Sequence, residues 1–163
     1  MLEDNVVLNN KTVFVTGVAG FIGSNLAKRL LKEFEGVKVV GIDNMNDYYD
    51  VSIKEWRLKE LSSNPSFTFV KGSIADKDTV TNIFNTYQPS VVVNLAAQAG
   101  VRYSITNPDA YVEANLIGFY NILEACRHSY DNGEKGVDHL VYASSSSVYG
   151  TNKKVPYSTE DKV

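Results

Sequence analysis

The sequence predicts an α/β fold, a doubly wound parallel sheet lying between helices in three αβα layers. Three observations predict it: five short β-rich runs, helical spacing between them, and three glycines where the first run meets the first helix. The runs are residues 12–16 (TVFVT), 37–42 (VKVVGI), 67–70 (FTFV), 91–95 (VVVNL) and 137–143 (VDHLVYA). Strands that alternate with long helical connections pair in parallel, because a parallel crossover needs that length. Between the runs, Ile22, Leu26, Leu30 and Phe34 recur every fourth residue, and Val112, Leu116, Phe119, Leu123 and Cys126 recur at fours and threes. Both stripes are expected to face the sheet. Pro108 stands just before the second of these helices and suits a first turn.

At 163 residues the chain has the length of one domain with a real core. Nothing in its 44% hydrophobic and 21% charged residues and net charge of −3 suggests a nucleic-acid surface, since basic residues do not exceed acidic ones. The start, MLEDNVVLNN, is polar and acidic and lacks the basic and apolar regions of a signal peptide. No apolar run is long enough to span a bilayer. The single cysteine, Cys126, forms no internal disulfide, so a reducing, cytoplasmic location is expected. Its neighbours Ile122 and Leu123 point to a buried helix residue and not a nucleophile. No metal site is expected.

The stretch VTGVAGFIGSNLAKRL carries Gly17, Gly20 and Gly23 in the spacing G-x-x-G-x-x-G. Each glycine inside a helix costs about 1 kcal/mol of helix propensity, so the triplet needs a reason. Helix N-terminal N–H groups and the helix dipole bind phosphate, and the backbone comes close only where side chains are absent. Gly17 permits the turn, Gly20 the approach to a pyrophosphate, and Gly23 close packing of helix on sheet. Asp43 closes the second run, twenty residues after Gly23, where a dinucleotide fold sets a carboxylate on the adenosine ribose. An acid there repels a 2′-phosphate and no Arg or Lys follows immediately, which favours NAD over NADP. Together these features define a Rossmann-type sheet with strand order 3-2-1-4-5.

The residues also resemble the extended short-chain dehydrogenase/reductase family, in particular its nucleotide-sugar epimerases and dehydratases. The resemblance rests on the glycine spacing, on NLAAQAGVRYS after the fourth run, on YVEANLIGFYNILEA in the helix that follows, and on VYASSSSVYG after the fifth. GIDNMNDYYDVSIKEWRL looks most like the UDP-glucuronate 4-epimerases. The resemblance implies that Gly17, Gly20, Phe21, Ile22 and Gly23 wrap the pyrophosphate of NAD. It implies that Asp43 and Asn44, with Asn46 or Asp47, hold the ribose, and that Leu95, Ala96 and Ala97 line the cofactor with backbone groups. Asn115 would reach either the cofactor-side loops or a structural hydrogen bond. Ser145 aligns with the active-site hydroxyl, with Ser146 and Ser147 as substitutes one or two positions on; the alternative is a serine that satisfies its own backbone. Arg102 would face an anionic UDP-sugar or lie on the surface.

The implied reaction moves hydride from C4 of a nucleotide sugar to NAD and returns it to the other face of a 4-keto intermediate. Two departures stand out. Many relatives have Gly-Asp-Ile or Gly-Asp-Leu after the third strand, whereas this chain has Gly72-Ser73-Ile74. Ser73 and Ile74 would then meet the adenine without a charge, and Asp76 is expected to be a helix N-cap. The family's catalytic Tyr-x-x-x-Lys is expected further along, on the next helix. Tyr149 and Lys153 have that spacing, but Gly-Thr-Asn between them is hardly helical, so they are expected to be a decoy. The expectation is therefore an NAD-binding domain over residues 1–163, truncated before the catalytic helix, able to bind NAD but inactive alone. Alternatives are a dehydratase or reductase of the same family, or a non-catalytic NAD-binding module. The helix over residues 112–130 could pair two copies or merely cover the sheet.

Overall fold

The computed structural model describes residues 7–131 and 135–163. Most of the acidic start, residues 1–6, therefore lies outside the described residues. The chain runs β1 (Thr12–Thr16), α1 (Phe21–Glu33), β2 (Lys38–Asp43), α2 (Val51–Leu61), β3 (Phe67–Lys71), α3 (Lys77–Tyr87), β4 (Val91–Asn94) and α4 (Val101–Thr106). A long helix follows: α5 (Asp109–Tyr111) passes through a π-helical segment (Val112–Gly118) into α6 (Phe119–His128). β5 (His139–Tyr142) and a 3-10 turn (Ser146–Tyr149) complete the described elements. The sheet has the order β3-β2-β1-β4-β5 with every pair parallel, as the sequence predicts.

Successive side chains of one strand point to opposite faces, so strands buried on both sides read as unbroken apolar runs. Val13, Val15 and Val39 pack with Ala27 and Leu30 of α1 and Leu58 and Leu61 of α2. Phe14, Val40, Ile42 and Val92 pack on the other face with Val80, Ile83 and Phe84 of α3 and Ile122 of α6. Phe14 meets Phe84 edge to face, with ring centres 5.8 Å apart. Asp76 caps α3 as expected: its carboxylate accepts from the Asp78 and Thr79 N–H groups at 3.0 and 3.3 Å.

Both helical stripes differ from the sequence reading. α1 buries Gly23, Ser24, Ala27 and Leu30, while Ile22 is exposed and Leu26 and Phe34 pack only in part. Close approach to the glycine turn selects the small residues, which rotates the apolar stripe off the contact. On the long helix, Val112, Leu116 and Leu123 are 46%, 66% and 41% exposed, and Gly118, Asn121 and Ile122 are buried instead. The wider π turn resets the helical phase. Gly118 then lies against Ile74, where a Cβ would come within 2.6 Å of Ile74 Cγ1. Asn121 Nδ2 donates to the carbonyls of Ile74 and Ala75 at 2.9 and 3.0 Å, fixing this helix to the β3–α3 loop.

Phe14→Ala should lower stability by roughly 3–5 kcal/mol, whereas Leu116→Ala should change it by no more than about 0.5 kcal/mol. Urea unfolding of the two variants checks which apolar side chains form the core.

Candidate functional site

The site forms where the C-terminal ends of β1, β2 and β4 meet the start of α1. Gly17 leaves β1 with φ +66°, and a Cβ there would stand 3.0 Å from Ala96 N and 3.1 Å from Ala96 Cα. Glycine is required twice over, by conformation and by space. A Cβ on Gly23 would strike the Gly17 carbonyl oxygen and stand 2.9 Å from Val18 Cα, so the third glycine closes the helix onto its own turn. Gly20 is the N-cap of α1 and brings no side-chain cap to the first turn, which leaves the helix N-terminus to a ligand.

Thr16, fully buried, joins β1 to β4 and was not singled out by its sequence. Its hydroxyl donates to Asn94 Oδ1 at 2.7 Å and accepts from Leu95 N at 3.0 Å and Ala96 N at 2.9 Å. Leu95 and Ala96 line the site, and their N–H groups are taken by Thr16. Asp43 joins β2 to the glycine turn: Oδ2 accepts from Ala19 N at 3.1 Å and Oδ1 from Met45 N at 2.9 Å. Arg57 of α2 holds the same turn from outside, donating to the Ala19 carbonyl at 3.2 Å.

A cavity of about 220 Å³ opens at this junction, and Gly17, Gly20, Asp43, Asn44, Asn46, Ser73, Ile74, Leu95, Ala96 and Ala97 all line it. Asp47 lines an adjoining cavity of about 230 Å³, which shares Asn44, Asn46 and Ser73. Ser73 Oγ accepts from Ala75 N at 3.1 Å and so shapes the loop that enters α3. Phe21 and Ile22 begin α1 with exposed side chains, and with Gly23 they lie outside the lining of both cavities. Asn115 clamps the Gln98 backbone with both halves of its amide, Oδ1 accepting from Gln98 N at 2.8 Å and Nδ2 donating to Gln98 O at 2.9 Å. It acts on the cavity through that loop. A larger groove of about 730 Å³ runs between α3 and α6 past Phe84, Asn121 and His128, and includes none of the expected site residues.

The remaining expected residues lie outside the lining of both site cavities. Ser145 caps the 3-10 turn, its Oγ accepting from Ser147 N at 3.2 Å, and Ser146 is exposed beside it. Arg102 is exposed on α4. Tyr149 stacks on Tyr157 at 4.7 Å, and the chain leaves helical geometry at Gly150 (φ +55°), so Tyr149 and Lys153 do not share a helix face. Cys126 is half-buried, and burial pushes its thiol up to about 11. Among the described residues there is no cluster of potential metal ligands and no helix long and apolar enough to cross a membrane.

Lys54 is the site residue that sequence reasoning missed. Its ammonium is nearly buried, donates to the Asn46 carbonyl at 3.0 Å and Asn46 Oδ1 at 2.9 Å, and stands 3.5 Å from Asp43 Oδ1. It sits eleven residues after Asp43, where only the turn of residues 44–50 brings it back. A lysine on the first turns of the helix after an acidic strand end was the available signal.

Glycine turn, strand-end acid and 3-2-1-4-5 sheet together define a dinucleotide-binding α/β protein. Residues 14–163 match the family described as GDP-mannose 4,6 dehydratase, and the chain belongs to that family. It is 52% identical over 151 residues to protein CapI of Staphylococcus aureus, covering 93% of this chain and 42% of that protein. It is 44% identical over 148 residues to a probable UDP-glucuronate 4-epimerase of Rhizobium meliloti, covering 91% of this chain and 41% of that one. The UDP-glucuronic acid 4-epimerase of Bacillus cereus, solved with UDP-glucuronic acid and NAD, is 34% identical with a TM-score of 0.79, over 93% of this chain and 45% of that one. The chain thus spans less than half the length of these relatives.

Thr16→Val keeps shape but strands two inward N–H groups, and should cost about 1–3 kcal/mol in urea unfolding. For Cys126, burial favours the neutral thiol, so alkylation should be slow at neutral pH and accelerate as pH rises toward about 11. At pH 8 the thiolate, the reactive form, should be roughly a hundred-fold scarcer than for a thiol at the ordinary value of 9.0. Iodoacetamide rates across that range check it.

Proposed function

We propose that residues 1–163 are the NAD-binding domain of a nucleotide-sugar 4-epimerase acting on UDP-glucuronate. The observation that carries the reading is that the glycine turn and Asp43, bonded to each other at Ala19 N, line one cavity at the strand ends. Two features of the site fit a dinucleotide: the turn admits no Cβ at Gly17, and no side chain caps α1. The first-turn N–H groups at Phe21, Ile22 and Gly23 would hold the pyrophosphate, with Gly17 and Gly20 giving it access. Asp43, Asn44, Asn46 and Asp47 would hold the adenosine ribose, and Ser73 and Ile74 would border the adenine. Leu95, Ala96 and Ala97 would wall the nicotinamide side, on a loop that Asn115 holds in place.

NAD, when bound, would supply a reversible hydride acceptor, so inversion at the sugar would be redox-neutral. The Ser145 hydroxyl would orient the reacting sugar oxygen, with Ser146 and Arg102 on the UDP-sugar. Tyr149 and Lys153 do not share a helix face, which supports reading the pair as a decoy and not as the catalytic base. This chain alone should therefore bind cofactor without turnover. Likeness to the Rhizobium and Bacillus enzymes supports the epimerase reading and its uronic-acid sugar; a dehydratase reading draws on the family's description alone. The exposed Val112, Leu116 and Leu123 support pairing of two copies along the long helix, and the lone cysteine supports a cytoplasmic setting.

NAD at about a hundred times its dissociation constant should stabilise the chain by about 2.7 kcal/mol. That corresponds to a rise of roughly 5–10 °C in the unfolding midpoint. NADP should give a smaller rise, and the chain should not epimerise UDP-glucuronate. A midpoint unmoved by NAD would contradict the reading.

A further inference from the structure

The Asp43 carboxylate does not stand alone at the ribose end of the cavity. Lys54 Nζ lies 3.5 Å from its Oδ1, and the two side chains are only 5% and 7% exposed. Both residues line the cavity. A charge this deeply buried needs a partner, and here each ion supplies the other's. Lys54 has three donors: two are taken by the Asn46 carbonyl and Asn46 Oδ1, and Asp43 stands nearest the third. The Tyr49 ring, 4.9 Å away, adds a second neutral contact with the cation. Asp43 uses one lone pair of each oxygen on Ala19 N and Met45 N, which leaves it room to accept from ribose hydroxyls.

We infer that Lys54 is a specificity-determining residue of this pocket, and that cofactor choice is set by the Asp43–Lys54 pair and not by Asp43 alone. The inference rests on the dinucleotide reading proposed above. In the intact pair the carboxylate accepts the ribose hydroxyls and holds the ammonium, so the pocket offers a 2′-phosphate no free cation. With the carboxylate neutralised, Lys54 keeps only the oxygens of Asn46 and the face of Tyr49. The pocket then presents a desolvated ammonium where the 2′-substituent sits, which is the chemistry of a 2′-phosphate site. Lys54 is thus a phosphate ligand that Asp43 holds out of use.

The test measures NAD and NADP affinity by calorimetric titration of the 163-residue chain, with the ligand-free unfolding transition recorded for each variant. Wild type should prefer NAD. Asp43→Asn should weaken NAD by about tenfold and tighten NADP by about tenfold, the worth of a hydrogen bond to a charged group. Adding Lys54→Met to that variant should abolish the NADP gain, and adding Lys54→Arg should retain it. Where Lys54→Met shows no cooperative transition, Lys54→Gln takes its place and keeps a polar head beside Asn46. Equal NADP affinity in Asp43→Asn with and without the Lys54 charge overturns the inference while leaving the dinucleotide reading intact. A wild-type chain that binds neither cofactor overturns that reading, and the inference with it.

Discussion

The structure depends on a backbone contact that admits no side chain, the approach of Gly17 to Ala96 where β1 and β4 end. Because residue 17 lacks a Cβ, the chain turns with positive φ and sends α1 back over the sheet at once. Because the two strand ends lie so close, the Thr16 hydroxyl reaches Asn94, Leu95 and Ala96 together. Gly23 extends the same constraint one turn into α1, which must ride on the Gly17 carbonyl. Each contact makes the others possible. Enlarging Gly17 would press on Ala96 and force the ends of β1 and β4 apart.

A second layer of contacts sets the electrostatics of that junction. Asp43 ties β2 to the turn through Ala19, while Lys54 ties the following loop back to Asp43 through Asn46. The polar end of the cavity is therefore a buried, matched ion pair and not a bare acid. Such pairs contribute little net stability, since desolvation offsets most of their attraction. Their physical consequence is geometric: the oxygens of Asp43 and Asn46 are held in place before any ligand arrives, which reduces the ordering that binding must otherwise impose. Asn115 and Asn121 do similar work from behind, one on Gln98 and the other on Ile74 and Ala75.

The sheet and its strand order were legible because each signal was local. β-rich runs, glycine spacing and the acid after VVGI all report on residues close in sequence, and every strand lies within the predicted runs or a residue beyond them. Helix faces were less legible. Periodicity reports which residues are apolar, but contact with the glycine turn selects Gly23 and Ala27, and a π turn resets the phase before Ile122. Lys54 and Thr16 escaped notice for a related reason. Their roles exist only where separate segments meet, and neither residue type is distinctive in its own stretch. Asn115 was legible as an amide that would reach the cofactor-side loops or a structural hydrogen bond, but only the structure shows that both ends of its amide close on one backbone residue.

The central claim is that a dinucleotide seats at the junction of β1, β2 and β4. The most direct measurement is an NMR titration of isotope-labelled chain with NAD, following backbone amides. The account predicts that shifts concentrate at residues 17–23, 43–46, 73–74 and 95–98, with the groove between α3 and α6 unmoved. Shifts clustered instead around Phe84, Asn121 and His128, with the glycine turn silent, would contradict it.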